Sequence, residues 1–185
     1  MSNFFSKKEL LGLGFSKVGE GNLISKKSNF YDIRGEIGSG NRIDDFCIIK
    51  GSIFIGNKVH ICSHTSLSGV GGNIVIGDLS GIGVNNIFYT ASDDMFQSSL
   101  CGPLVDKKLT SLKTGDINIG TGVALGGRVT IMPNVKIGNF SAVGLQSIIT
   151  KDLEPYYVYM IVRGKLKKII KRDKGQLDRF YKLEQ

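Results

Sequence analysis

A chain of 185 residues, 41% of them hydrophobic, is long enough to bury one core and short for two domains of ordinary size. Its 25 glycines against 3 prolines, with no tryptophan, exclude collagen-like and proline-rich chains and fit a fold with many tight bends. The net charge of +8 predicts an anionic partner, and three cysteines (Cys47, Cys62, Cys101) without a CxxC pair predict neither a disulfide framework nor a zinc knuckle.

At the N-terminus, Ser6-Lys7-Lys8-Glu9 matches a capping box ahead of Leu10 and Leu11, which predicts a short helix ending by Gly14. Residues 1–30 are read as a helical cap and lead-in that closes one end of the domain. The apolar run there is too short for a signal peptide, and no stretch reaches the roughly 18 apolar residues of a membrane span, so a cytoplasmic protein with no integral membrane segment is expected.

From Ile37 an aliphatic residue recurs at every sixth position: Ile37, Ile43, Ile49, Ile55, Ile61 and Leu67. The count resumes with Ile76, Ile82 and Phe88, and again through Ile119, Leu125, Ile131, Ile137, Val143 and Ile149. Glycine often comes next (Gly38, Gly56, Gly83, Gly126, Gly144), and the fourth residue on is small or β-branched (Cys47, Val59, Thr65, Ser80, Val129, Ser147). A period of six fits neither the 3.6 of a helix nor hairpins with turns every 8–12 residues. It fits an all-β parallel coil over residues 31–160, three hexapeptides to a turn, with the aliphatic residues stacked inside and glycine letting the backbone bend beside them.

Two stretches break the period. Residues 90–116 form a long loop that should project from a corner, and loops of that length are commonly functional. Residues 161–185 are basic, with Arg163, Lys165, Lys167, Lys168, Lys171, Arg172 and Lys174. Apolar residues at Leu166, Ile169, Ile170, Leu177, Phe180, Tyr181 and Leu183 predict one or two helical pieces broken near Gly175, covering the open end of the coil. Basic residues beside apolar ones at helical spacing, without interleaved aromatics, argue against a nucleic-acid partner.

The repeats, together with LLGLGF, IGSGNRIDDFCI, IGNKVHI and VGLQSIITKDLEP, resemble the hexapeptide-repeat acyltransferases, and within them the sugar acetyltransferases of bacterial surface-polysaccharide synthesis. The resemblance implies a left-handed parallel β-helix, a homotrimer, and acetyl-CoA as co-substrate in a groove between neighbouring prisms. It implies an acceptor that is a sugar, most readily a nucleotide-linked amino sugar acetylated on nitrogen, with O-acetylation of a galactoside-like or polysaccharide sugar as the alternative. By the same resemblance Thr150 and Lys151 meet the pantetheine and phosphates, backbone groups at Gly127 and Leu145 bind the pantetheine amides, and Lys165 and Lys168 contact the nucleotide phosphates. Where the family shows Gly-x-Pro-Ala, this chain has Ile161-Val-Arg-Gly164.

Transfer from a thioester needs a base for the acceptor proton, and histidine suits that work near neutrality. Only His60 and His64 exist. Their places in the hexapeptides point both outward. Val59-His60-Ile61 resembles the family's VHI triplet, so His60 is the favoured base, with His64 beside the acceptor. Maltose- and galactoside-type relatives carry their histidine on the projecting loop, where this chain has Ser92-Asp93-Asp94. Asp93 and Asp94 there are read as orienting a neighbouring subunit's His60, binding sugar hydroxyls or recognising a substrate amine, with Asp94 assigned to catalysis and Asp93 to the acceptor. Asp45 is read as lining the acceptor pocket, partnered by Arg42. A γ-type carbonic anhydrase would need three histidines, so no metal is expected. A non-enzymatic scaffold would not need the Thr150-Lys151 segment.

Overall fold

A computed structural model describes residues 2–94 and 99–184. The chain coils as a left-handed, three-sided parallel β-helix. One face is an eight-stranded sheet whose parallel rungs run from Leu23–Ile24 through Arg42–Ile43, His60–Ile61, Gly81–Ile82, Ala124–Leu125 and Ala142–Val143 to Tyr157–Val162. Register places Ile24, Ile43, Ile61, Ile82, Leu125, Val143 and Tyr159 one above another. On the second face Ile49, Leu67, Phe88, Ile131 and Ile149 stack, and on the third Ile37, Ile55, Ile76, Ile119 and Ile137.

The period of six thus marks three interior columns, each residue 0–6% exposed. Burying one such aliphatic side chain contributes about 1.5–3 kcal/mol. The fourth-position residues form a second interior row: Cys47, Val59, Thr65, Ser80, Val129 and Ser147 are all buried. Small hydroxyls sit there because they bond to the next coil along the axis. Thr65 Oγ1 donates to the Gly83 carbonyl at 3.1 Å and Ser80 Oγ to that of Gly120 at 2.9 Å.

The glycines after the aliphatic positions do a different job from the one expected. None of Gly38, Gly56, Gly83, Gly126 and Gly144 has a positive φ. A Cβ at Gly126 would lie 2.7 Å from the Leu145 nitrogen, and one at Gly38 2.5 Å from the Gly56 carbonyl oxygen. They are glycine because successive rungs press backbone on backbone. The bend itself falls two residues later, in the left-handed region, and is mostly made by ordinary residues: Phe46, Lys58, His64, Leu79, Asn85, Arg128, Asn134, Phe140 and Gln146.

The capping box forms as expected. Ser6 caps the helix Lys7–Gly12, whose buried Leu10 packs at the first turn of the prism. The loop leaves after Tyr89 and returns before Ile117, so Ile76 and Ile119 are direct neighbours in the third column. Its base is an antiparallel arm, Ala91–Asp93 against Leu112–Thr114, with a short 3₁₀ turn at Lys107–Leu109. Positions 95–98 of the expected 90–116 loop lie outside the described residues.

The tail corrects the sequence reading in two ways. Lys165–Lys171 is a strand, paired antiparallel with Tyr157–Val162 across a turn at Arg163 and Gly164, and this hairpin covers the open end, with Leu166 packed on the core. The helix comes only afterwards, Lys174–Glu184, and runs through Gly175 without a break. It lies along a prism corner: Tyr181 packs edge-on against Phe140, Tyr156 donates to Asp178 at 2.7 Å, and Lys58 pairs with Glu184 at 2.8 Å. Among the described residues no helix is long and apolar enough to cross a membrane.

Candidate active site

His60 stands on the residue before an interior position, so strand alternation turns it outward. The rung beneath places Arg42 opposite it in register. Each neighbour two residues on, Asp44 and Cys62, faces outward as well. The four form one cluster. His60 Nε2 lies 2.9 Å from Asp44 Oδ2, and Arg42 Nε donates to Asp44 Oδ1 at 2.7 Å. Cys62 Sγ is 3.8 Å from His60 Nε2 and 4.0 Å from Nδ1.

Partial burial raises the Asp44 carboxyl, but hydrogen bonds from Arg42 and His60, with their charges, outweigh it and hold the group below its ordinary value. Burial, reinforced by the Asp44 charge, pushes the Cys62 thiol up. Arg42 is therefore the partner of Asp44. Asp45, which it was expected to accompany, is bound by Lys27 at 2.8 Å and by the Ser25 hydroxyl, and these keep its carboxyl low.

Beside the cluster, Arg42, Asp44, Asp45, Phe46, Ser63 and His64 line an open cavity of about 390 Å³. His64 adopts φ 61° at the corner and its ring packs on Phe46 at 5.1 Å between centroids. His64 and Asp45 thus share a recess. Asp44 and Cys62 had a signal in the sequence: one rung is 18 residues, so 42 and 60, and 44 and 62, are stacked neighbours.

Gly127 and Leu145 come after Leu125 and Val143 on the same corner of the prism, two and three rungs above His60. At the usual strand spacing the Leu145 rung lies roughly 14 Å along the axis from His60. Thr150 and Lys151 occupy the next corner. Lys151 and Lys168 are brought together, lining a cavity of about 230 Å³ with Glu154, Tyr159 and Leu166. Lys168 is engaged there, 2.7 Å from Glu154 and over the Tyr157 ring at 4.4 Å, and the Glu154 carboxylate raises its pKa. Lys165 opens the second strand of the hairpin, opposite Val162, and is not among the residues of that cavity. Asp93 ends the loop arm. Asp94 beside it is buried, with Lys113 at 3.1 Å from Oδ2, one face further round the prism than His60.

No family model matches the chain. It is similar to the dTDP-4-amino-4,6-dideoxy-D-glucose acyltransferase of Escherichia coli, 29% identical over 166 residues, 88% of this chain and 86% of that protein. It superposes on AntD, an N-acyltransferase from Bacillus cereus. A point mutant of AntD in complex with dTDP and coenzyme A gives a TM-score of 0.90 at 35% identity, covering 100% of this chain and 98% of that one. AntD in complex with dTDP and 3-hydroxybutyryl-CoA gives 0.89 at 35% identity, covering 100% and 97%. A Klebsiella aerogenes chloramphenicol acetyltransferase is 42% identical over 85 residues, 46% of this chain and 35% of its own length.

The hexapeptide prism, with a projecting arm and polar recesses at its corners, defines a left-handed β-helix enzyme of the acyltransferase class. The chain belongs to the hexapeptide-repeat sugar acyltransferase family, and the similarity to AntD extends from one end to the other.

Proposed function

We propose that this enzyme transfers an acyl group, acetyl in the first instance, from coenzyme A to the amine of a nucleotide-linked deoxyamino sugar of the dTDP-4-amino-4,6-dideoxyglucose type. The product would be a building block for surface polysaccharide. The observation that carries this reading is the full-length likeness to AntD, whose structures hold dTDP and coenzyme A or an acyl-CoA. The recess at Asp45, Phe46 and His64 suits the acceptor, and the glycine-lined corner above it suits an extended thioester arm whose amides need backbone partners.

His60 is the proposed base. With Asp44 accepting from Nε2–H, the Nδ1 lone pair is left to take the proton as the acceptor amine attacks the thioester carbonyl. Asp44, held ionised and fixed by Arg42, then stabilises the imidazolium. Thr150 and Lys151 would guide the pantetheine and phosphates. Lys165 and Lys168 would attract the nucleotide end, Lys168 by exchanging Glu154 for phosphate.

The site is completed by a homotrimer in this reading. Ile48 and Ile148 stand exposed on the outside of the second face, and Phe46, Val84 and Leu145 on the adjoining corner, an apolar column suited to a sister prism. Packing there would bring the loop arm of one subunit, with Asp93 and Asp94, toward the His60 corner of another.

The test is product formation by mass spectrometry with acetyl-CoA or 3-hydroxybutyryl-CoA against nucleotide amino sugars and simple glycosides, with sedimentation of the same sample. Turnover confined to amino sugars supports the proposal; turnover of glycosides alone overturns it in favour of O-acylation. A monomer with full activity overturns the shared site.

A further inference from the structure

Asp44, His60 and Cys62 present a carboxylate oxygen, an imidazole nitrogen and a thiol sulfur from two adjacent rungs, all within 4.8 Å of one another. With Zn–N near 2.0–2.1 Å and Zn–S near 2.3 Å, two ligands of one tetrahedral shell stand roughly 3.5 Å apart. The 3.8 Å between His60 Nε2 and Cys62 Sγ is close to that separation, and the 2.9 Å between His60 Nε2 and Asp44 Oδ2 needs to open by only a few tenths. Stacked strands hold all three backbones in place, so little ordering is left for an ion to impose.

We propose that Asp44, His60 and Cys62 form a reversible binding site for a borderline-soft divalent cation of the Zn²⁺ class, and that its occupancy stops acyl transfer because an ion on Nε2 holds the ring proton on Nδ1, the nitrogen that has to accept the substrate proton. Imidazole with thiolate selects such ions over Mg²⁺ and Ca²⁺, which take oxygen ligands. Arg42 holds the second Asp44 oxygen, the outer partner a ligating carboxylate commonly has, while its charge opposes the ion. Three protein ligands beside a guanidinium make a site that loads and empties, unlike a closed four-ligand structural site. No step of the transfer uses the ion. The inhibitory half rests on the reading of His60 as the base; the binding half does not.

The experiment titrates the full-length protein, carrying Cys101→Ser to remove the exposed thiol, with CoCl₂ and tracks the thiolate-to-cobalt absorption. Turnover is measured separately against ZnCl₂ by mass spectrometry of the acylated sugar. A Cys62-dependent band saturating at one ion per chain, with Zn²⁺ inhibition weakened about tenfold or more in Cys62→Ser, is the expected result. Cys62→Ser should fold with the parent's unfolding curve, and its inhibition is read against its own metal-free turnover. A band identical in Cys62→Ser, or none in a protein with native unfolding behaviour, overturns the site and leaves the proposed transferase activity untouched. A Cys62-dependent band with undiminished turnover upholds the site, and overturns both the inhibition and the role given to His60.

Discussion

On the rungs of Ile43 and Ile61 the prism corner carries Asp44, Asp45, Phe46, Ser63 and His64, side chains that can ionise, stack or donate. Two and three rungs higher the same corner carries Gly126, Gly127, Gly144 and Leu145. Behind both halves runs one interior column, Ile43, Ile61, Leu125 and Val143, buried alike. The residues the core leaves free thus differ in kind: the lower half offers side-chain chemistry and the upper half exposes backbone. Gly126 of the upper half cannot be filled, because a Cβ there would lie 2.7 Å from the Leu145 nitrogen of the next rung.

The sharpest break in this comparison is His60→Ala, expected to lower kcat about 10²–10⁴-fold with an unchanged urea unfolding curve. Near-normal turnover would move the proton transfer away from the lower half. Next comes Ile61→Ala, which removes a fully buried side chain from the column that runs behind both halves and should cost about 2–5 kcal/mol in urea unfolding. Lys151→Ala, on the next corner, should leave the lower half untouched, raising KM for the thioester about three- to tenfold, more at low salt, with kcat little changed. An equal fall in kcat would place Lys151 closer to the reacting atoms.

The pH dependence separates the halves more finely. The folded-state value of Asp44 lies below that of an unfolded aspartate, so its pairing stabilises the folded chain above about pH 4 and fades as pH falls through the folded value. Asp44→Asn should therefore lower Tm by a constant amount at neutral and alkaline pH and converge on the parent protein in acid, which flattens the acid side of a plot of Tm against pH. Smallest of all, Lys58→Ala breaks an exposed pair that anchors the tail helix, and no measurable change in Tm is expected.

The interior was legible because stacking demands the same residue class every six positions, and nothing else in the chain competes for those places. The outward cluster was half legible. His60 stands out as one of two histidines, but nothing local separates Asp44 from Asp45, since partnership across rungs appears only when the chain is written in steps of 18. The purpose of the corner glycines is hidden because a small residue in a bend suggests φ freedom, whereas the constraint is contact with the next coil. Lys165–Lys171 reads as helix because Leu166, Ile169 and Ile170 have helical spacing. The hint lies upstream: β-branched and aromatic residues from Tyr157 run into Arg163-Gly164, a two-residue turn with φ 50° and 73°.

Ile76 pairs directly with Ile119, and Ile82 and Phe88 between them fill the other two columns, so the stretch that leaves after Tyr89 and returns before Ile117 is, to the prism, a detour. A solenoid can lengthen, shorten or exchange such a detour without renumbering a single internal contact. The arm bearing Asp93 and Asp94 is therefore free to vary in length and sequence on an evolutionary timescale that the stacked isoleucines never feel.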